Sequence, residues 1–306
     1  LMHHFGDWRD RPMQDNTMKL DDGRTLGYSV CGEENGIPIM FFHGTPGSRI
    51  FGLENGGLFK KYGAFVIAPE RPGYGLSDRN PERTIESWAT DIGELADHLG
   101  FHQFHVAGES GGGPYALACA INLPKRVLSA TLIASATPPE ALQSLTGMGL
   151  GNRIVFFLAM YAPFILRILF ADYAHAVRKS PEQFMRNMLS QFCEWDRRIF
   201  DGANGTGRTH EIMLHLKEAF RQGGDGAYRD MLLISRPWRL DLSKLAIPVI
   251  MWHGESDTLM PIAPAKAFAK LIPDCESHFV VGAGHLLLED EDVGSQIVAR
   301  LLSVNA

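Results

Sequence analysis

The chain has 306 residues, 45% of them apolar, and a formal net charge of −6, enough to bury a large core as one large α/β domain or two modest ones. No run of lysine or arginine forms the basic stripe that nucleic acid or anionic lipid requires, which leaves small neutral or apolar molecules as expected partners. Cys31, Cys119, Cys193 and Cys275 lie more than seventy residues apart with no C-x-x-C pair, so reduced thiols are expected rather than a zinc site or a redox pair.

The first sixteen residues, LMHHFGDWRDRPMQDN, are polar and carry acids, lack the apolar core of a signal peptide, and point to a cytoplasmic protein. Short apolar or β-branched runs then alternate with helical periods, the pattern of a parallel sheet with crossover helices. The expected strands are 25–32, 37–44, 64–70, 104–109, 129–135, 247–254 and 277–284. Between two of them Ile85, Trp88, Ile92, Leu95 and Leu99 share one helical face that Gly100 closes. The segment Pro114 to Leu123 reads as a second crossover helix that stops at Pro124. From about Thr137 to Arg239 the strand signal vanishes and helical stretches take over, an insertion between two strands of one sheet. Its longest apolar run, Ile154 to Leu166, contains Pro163 and is too short to cross a bilayer.

Ser110, in VAGESGGGPYALACA, falls where a strand turns at once into a helix. In so many glycines the motif G-E-S-G-G decides little alone, but Gly108 and Gly112 give room for a strained turn that lifts the hydroxyl clear of the sheet. A serine needs a neutral imidazole to take its proton, and the imidazole needs a carboxylate to fix its tautomer. His285, in the glycine turn GAGH after the last expected strand, is better placed than His253 or His43. Asp257, just past the preceding strand in WHGESDTLMP, is the expected acid, with Glu255 its competitor. A developing oxyanion needs two backbone amides, which Gly111 and Thr45, the latter in FFHGTPGSR, are placed to supply.

The order H-G-T-P-G, R-P-G-Y-G-L-S-D, G-E-S-G-G, G-E-S-D and G-A-G-H, over residues 17 to 302, resembles the α/β-hydrolase superfamily. The resemblance implies a mostly parallel sheet flanked by helices, with residues 17–136 and 240–306 as core and 137–239 as a helical cap between the sixth and seventh strands. It assigns Ser110 as nucleophile, Asp257 as acid, His285 as base, and Thr45 with Gly111 as oxyanion donors. Arg71, Gly73, Gly75 and Asp78 are expected to shape a loop. The surplus of apolar residues between Ile154 and Phe170 is expected to turn partly inward over the serine, with Phe157, Met160 and Leu286 among those touching substrate.

The expected activity is hydrolysis of short- to medium-chain carboxylic esters, with a small-molecule ester as partner and neither cofactor nor metal. Haloalkane dehalogenase and epoxide hydrolase chemistry would need an aspartate at position 110. Proline iminopeptidases typically carry H-G-G-P-G and a tryptophan in the elbow, where this chain has Thr45 and Gly111 to Gly113. A cofactor-free perhydrolase or haloperoxidase would use the same three residues, a carbon–carbon bond hydrolase is a further outlier, and a small-molecule receptor that retains the triad is the alternative from another class.

Overall fold

The computed structural model describes residues 16–50, 56–141, 147–201 and 209–304, so the N-terminal stretch read for targeting lies, up to residue 15, outside the described residues. Eight strands form one sheet: β1 (Asn16–Lys19), β2 (Thr25–Gly32), β3 (Ile37–Phe42), β4 (Ala64–Pro69), β5 (Phe104–Glu109), β6 (Val127–Ile133), β7 (Val249–Gly254) and β8 (Glu276–Val280), in the order β1-β2-β4-β3-β5-β6-β7-β8. From β4 onward every pairing is parallel, whereas β1 and β2 run antiparallel to their neighbours. β4, β5 and β7 are buried along their whole length, which is why they read as continuous apolar runs with little alternation. β1 was not expected. It is a four-residue edge strand, NTMK, with one buried side chain, and Gly23 at φ 84° closes its hairpin to β2.

Helices α1 (Gly56–Lys61), α2 (Trp88–Leu99), α3 (Gly113–Asn122), α10 (Ile262–Ala269) and α11 (Glu291–Leu302) accompany the sheet. α2 buries Trp88, Ile92 and Leu95, each worth about 1.5–3 kcal/mol of transfer free energy. Gly100, left-handed at φ 76°, ends it by donating its N–H to the carbonyls of Ala96 and Asp97. Trp88 meets Phe42 edge-on at 5.7 Å and Tyr115 at 6.3 Å, fixing α2 and α3 against the end of β3. Because β3, β5, β7 and β8 are parallel, the loops that follow them open on one edge of the sheet.

Between β6 and β7 the described residues hold no strand but six α-helices, α4 (Leu150–Tyr161), α5 (Pro163–Lys179), α6 (Pro181–Leu189), α7 (Glu194–Asp201), α8 (Thr209–Ala219) and α9 (Asp225–Ile234), followed by a short 3₁₀ turn, Leu242–Lys244. Pro163 starts α5 and divides the apolar run. From Ile154 to Phe170 the chain turns partly inward, as expected, but not with the residues expected: Val155 and Phe170 line the cavity with Ser110, whereas Phe157 and Met160 do not. α4 turns Val155, Phe156 and Ala159 inward, and the helical period then carries Phe157 and Met160 outward, where they are 54% and 38% exposed. No described helix is long and apolar enough to cross a membrane.

Candidate active site

Ser110 directly follows β5 with φ 51°, a left-handed conformation unusual for a residue with a side chain, and opens the one turn of 3₁₀ helix that leads into α3. The surrounding glycines are there for space. A Cβ on Gly108 would overlap the carbonyl of Gly112, one on Gly112 would overlap the carbonyl of Phe42, and one on Gly111 would strike the side chain of Thr45. The loop after β3 is therefore pressed onto the serine turn, and a Cβ at Gly44 would lie 3.8 Å from Ser110 Oγ.

His285 and Ser110 line the same cavity. The His285 Nδ1 stands 2.7 Å from Asp257 Oδ2, while Asp257 Oδ1 accepts from the N–H groups of Leu259 (2.8 Å) and Met260 (2.9 Å). Burial favours the neutral His285 ring, but the charge and hydrogen bond of Asp257, supported by Asp196 and Glu289, outweigh it and raise its pKa above the ordinary 6.5. Asp257 is pushed up by burial and more strongly down by His285, so it stays ionised. The competing groups are engaged elsewhere. Glu255 pairs with Lys266 at 2.9 Å on the surface. His253 sits 2.6 Å from the Met260 carbonyl through Nε2, and burial lowers its pKa. His43 accepts the Arg71 N–H on Nε2 and faces Gly44 O through Nδ1 at 2.8 Å; burial, then Arg71, depress its pKa far below the imidazole range.

Thr45 is held by residues the sequence presented as loop-shaping or as part of a helix. Arg71 donates to the carbonyls of His43 (2.6 Å) and Gly44 (2.7 Å). In the planar trans peptide joining Gly44 to Thr45, fixing the carbonyl toward Arg71 aims the Thr45 N–H the opposite way. Arg71 is itself fixed by Asp230 of α9, whose fully buried carboxylate accepts from Arg71, Arg83, Tyr74, Tyr115 and the Thr45 hydroxyl at 2.6 to 2.9 Å. Burial would raise its pKa, but the two guanidinium groups hold it far below the usual carboxylate range.

Asp196 and Asp230 were both missed as contributors to the site. The signal is a lone acid on an apolar helical face: Asp230 among buried Ala227, Met231 and Ile234, and Asp196 between buried Phe192 and Phe200. Glu109, beside Ser110, is a different case. Its two buried carboxyl oxygens have no hydrogen-bond partner among the described residues, and burial together with Glu289 and Asp257 raises its pKa well above the carboxylate range.

The cavity has a volume of about 480 Å³ and is walled by Phe170, Tyr173, Phe184, Met188 and Phe192 of the helical segment. Leu286 reaches it. Phe157 and Met160 do not, because they lie on the outer face of α4; α4 lines the cavity through Gly151, Asn152 and Val155, and the aromatic wall comes from α5, α6 and Phe192, just ahead of α7. No group of three or more described His, Cys, Asp or Glu residues is arranged to hold a metal ion.

The model of one protein family, the alpha/beta hydrolase fold, matches residues 37–292. Among curated proteins, a non-heme chloroperoxidase of Streptomyces lividans is 28% identical over 257 residues, covering 81% of this chain and 84% of its own length. A proline iminopeptidase of Xanthomonas citri is 24% identical, covering 94% and 96%. Among solved structures, an esterase of Thermogutta terrifontis superposes with a TM-score of 0.67 at 23% identity, over 97% of this chain and all of its own.

The buried network at Asp230 makes a stability prediction. Asp230→Ala leaves Arg71 and Arg83 as uncompensated buried charges, and urea unfolding is expected to show a loss of about 3–5 kcal/mol. A loss below about 1 kcal/mol, the size of an exposed ion pair, would contradict this reading.

Proposed function

The chain belongs to the α/β-hydrolase fold family, and from that premise we propose that it is a serine carboxylesterase acting on short- to medium-chain esters through an acyl-enzyme on Ser110. The observation that carries this reading is the 2.7 Å contact between His285 Nδ1 and ionised Asp257 at the cavity that Ser110 lines. With Nδ1 committed to the carboxylate, Nε2 is the nitrogen left to accept a proton. Residues 137–239 are read as a cap over residues 17–136 and 240–306.

In the proposed reaction Ser110 Oγ attacks the ester carbonyl as its proton passes to His285 Nε2. The tetrahedral oxyanion is held by the N–H groups of Thr45 and Gly111, the first aimed by the Arg71 clamp on Gly44 O. Collapse breaks the bond to the alkoxy oxygen, which takes the proton from His285 and leaves as the alcohol. Water then loses a proton to His285, attacks the acyl carbonyl, and releases the acid and free Ser110. Similarity to a chloroperoxidase favours a second reading, in which hydrogen peroxide replaces water as acceptor and the product is a peracid. Peracid-dependent halide oxidation, measured with peroxide and acetate, distinguishes the two.

An active-site fluorophosphonate is expected to label Ser110, and Ser110→Ala to abolish labelling and ester hydrolysis while the circular dichroism spectrum is unchanged. Labelling of another serine would overturn the assignment. A receptor that merely retains the triad would turn over simple nitrophenyl esters negligibly.

His285 must be neutral to accept the serine proton, so kcat/KM is expected to rise with pH to a plateau, with its midpoint above the ordinary imidazole value of 6.5. Asp257→Asn is expected to lower kcat by about three to four orders of magnitude, while Glu255→Gln, whose partner is a surface lysine, stays near wild type. The opposite ranking would move the acid to Glu255.

Each buried acyl methylene strengthens binding by about 0.8 kcal/mol until the cavity is full. In a finite cavity of about 480 Å³, efficiency is expected to peak at roughly C4 to C8. Nitrophenyl esters of graded chain length measure this. A profile still rising for palmitate, or activation at an oil–water interface, would contradict it.

A further inference from the structure

Asp196 lies on α7, within the helical segment, and none of it is exposed. Its Oδ1 accepts from the backbone N–H of His285 at 2.7 Å and of Leu286 at 2.9 Å, and its Oδ2 accepts from the Cys193 thiol at 3.2 Å. The carboxyl lies so close to the chain that a Cβ at Gly284 would overlap it. Gly284 is not in the left-handed region, so a glycine stands before His285 to admit this carboxylate. Four residues ahead of Asp196, Phe192 meets the His285 ring edge-on at 6.5 Å. One short stretch of the helical segment thus touches both the backbone and the ring of the histidine.

A fully buried carboxylate is expensive unless its partners compensate it. Burial raises the Asp196 pKa, opposed by the bond to Leu286 and the charge of His285. The charged and titratable groups facing His285 are Asp257 from the loop after β7, Asp196 from α7 and Glu289 farther along its own loop. Behind Asp257 stands His253 of β7, 3.6 Å from the carboxylate. Glu109 lies near Asp257 and Glu289, and burial, then these two neighbours, raise its pKa.

We propose that Asp196 is a positioning residue for His285: it fixes the backbone of the histidine loop from the helical segment and places a second negative charge behind the imidazolium formed during acyl transfer. The role rests on the serine-hydrolase reading. Its geometry makes two separable demands, because both amide bonds end on Oδ1. An asparagine with its carbonyl oxygen at that position keeps both amide bonds and loses the charge and the bond from the Cys193 thiol, whereas an alanine loses all of them.

The test compares the full-length wild type, Asp196→Asn and Asp196→Ala. The His285 imidazole is titrated by nitrogen NMR, assigned with a His285→Gln variant, and hydrolysis of nitrophenyl butyrate gives kcat and KM. In Asp196→Asn the imidazole is expected to titrate about one pH unit lower, with the acid limb of kcat/KM moving equally and kcat at pH 8 falling by less than about tenfold, because part of the lost charge stabilisation is felt by the imidazolium in the transition state. In Asp196→Ala, kcat is expected to fall about tenfold to a hundredfold with KM within about threefold, the pattern of a misplaced base. An unmoved titration in Asp196→Asn would overturn the charge role, whether or not the alanine variant folds. A wild-type kcat in Asp196→Ala would overturn the positioning role. Failure of the underlying reading looks different: Ser110→Ala would keep its hydrolysis while the imidazole titration still moved.

Discussion

A carboxylate sealed from water, Asp230, and the two arginines that keep it ionised set the arrangement on which the candidate site depends. Neither Arg71 nor Arg83 could be buried without it, and it could not be buried without them. The three charges must therefore assemble together, and doing so joins α9, the loop after β4 and the turn after β3 in one network with Tyr74 and Tyr115. The ordered consequence is local. Arg71, anchored at one end, uses its other donors to grip the carbonyls of His43 and Gly44, which turns the amide proposed to bind an oxyanion away from the network.

The helical segment does more than roof the cavity. It sends one carboxylate to the turn carrying Thr45 and another to the loop carrying His285, each fully buried. The groups proposed as oxyanion donor and general base are thus held partly by the segment that also supplies the aromatic wall. On this reading, changes in the segment that alter which acyl groups fit also act on the chemistry, since α7 carries Asp196 and Phe192, just ahead of that helix, packs on the histidine.

The sheet was legible because its central strands are buried on both faces and read as unbroken apolar runs, and α2 because a wide apolar stripe ends at Gly100. The serine turn was legible because its glycines answer to local crowding, which a sequence records residue by residue. β1 was not, since four residues with one buried side chain carry no alternation. The orientation of α4 was not legible either. Ile154 to Phe170 has Arg167 as its only charged residue, so no polar stripe sets the helical phase, and the large side chains assigned to the cavity lie outside. Asp196 and Asp230 act on loops 89 and 185 residues away in the chain, and a sequence shows only that each sits awkwardly on an apolar face.

The central claim is that a covalent acyl group passes through Ser110 in a site whose charges are already paired before substrate arrives. It is tested most directly by quenching the protein in acid during steady turnover of nitrophenyl butyrate and locating any added mass by peptide mass spectrometry. The expected result is a butyryl group on the peptide containing Ser110, accumulating in a burst and disappearing as substrate is exhausted. Turnover at the same rate with no acylated peptide under rapid quench, or an acyl group on a different side chain, would contradict it.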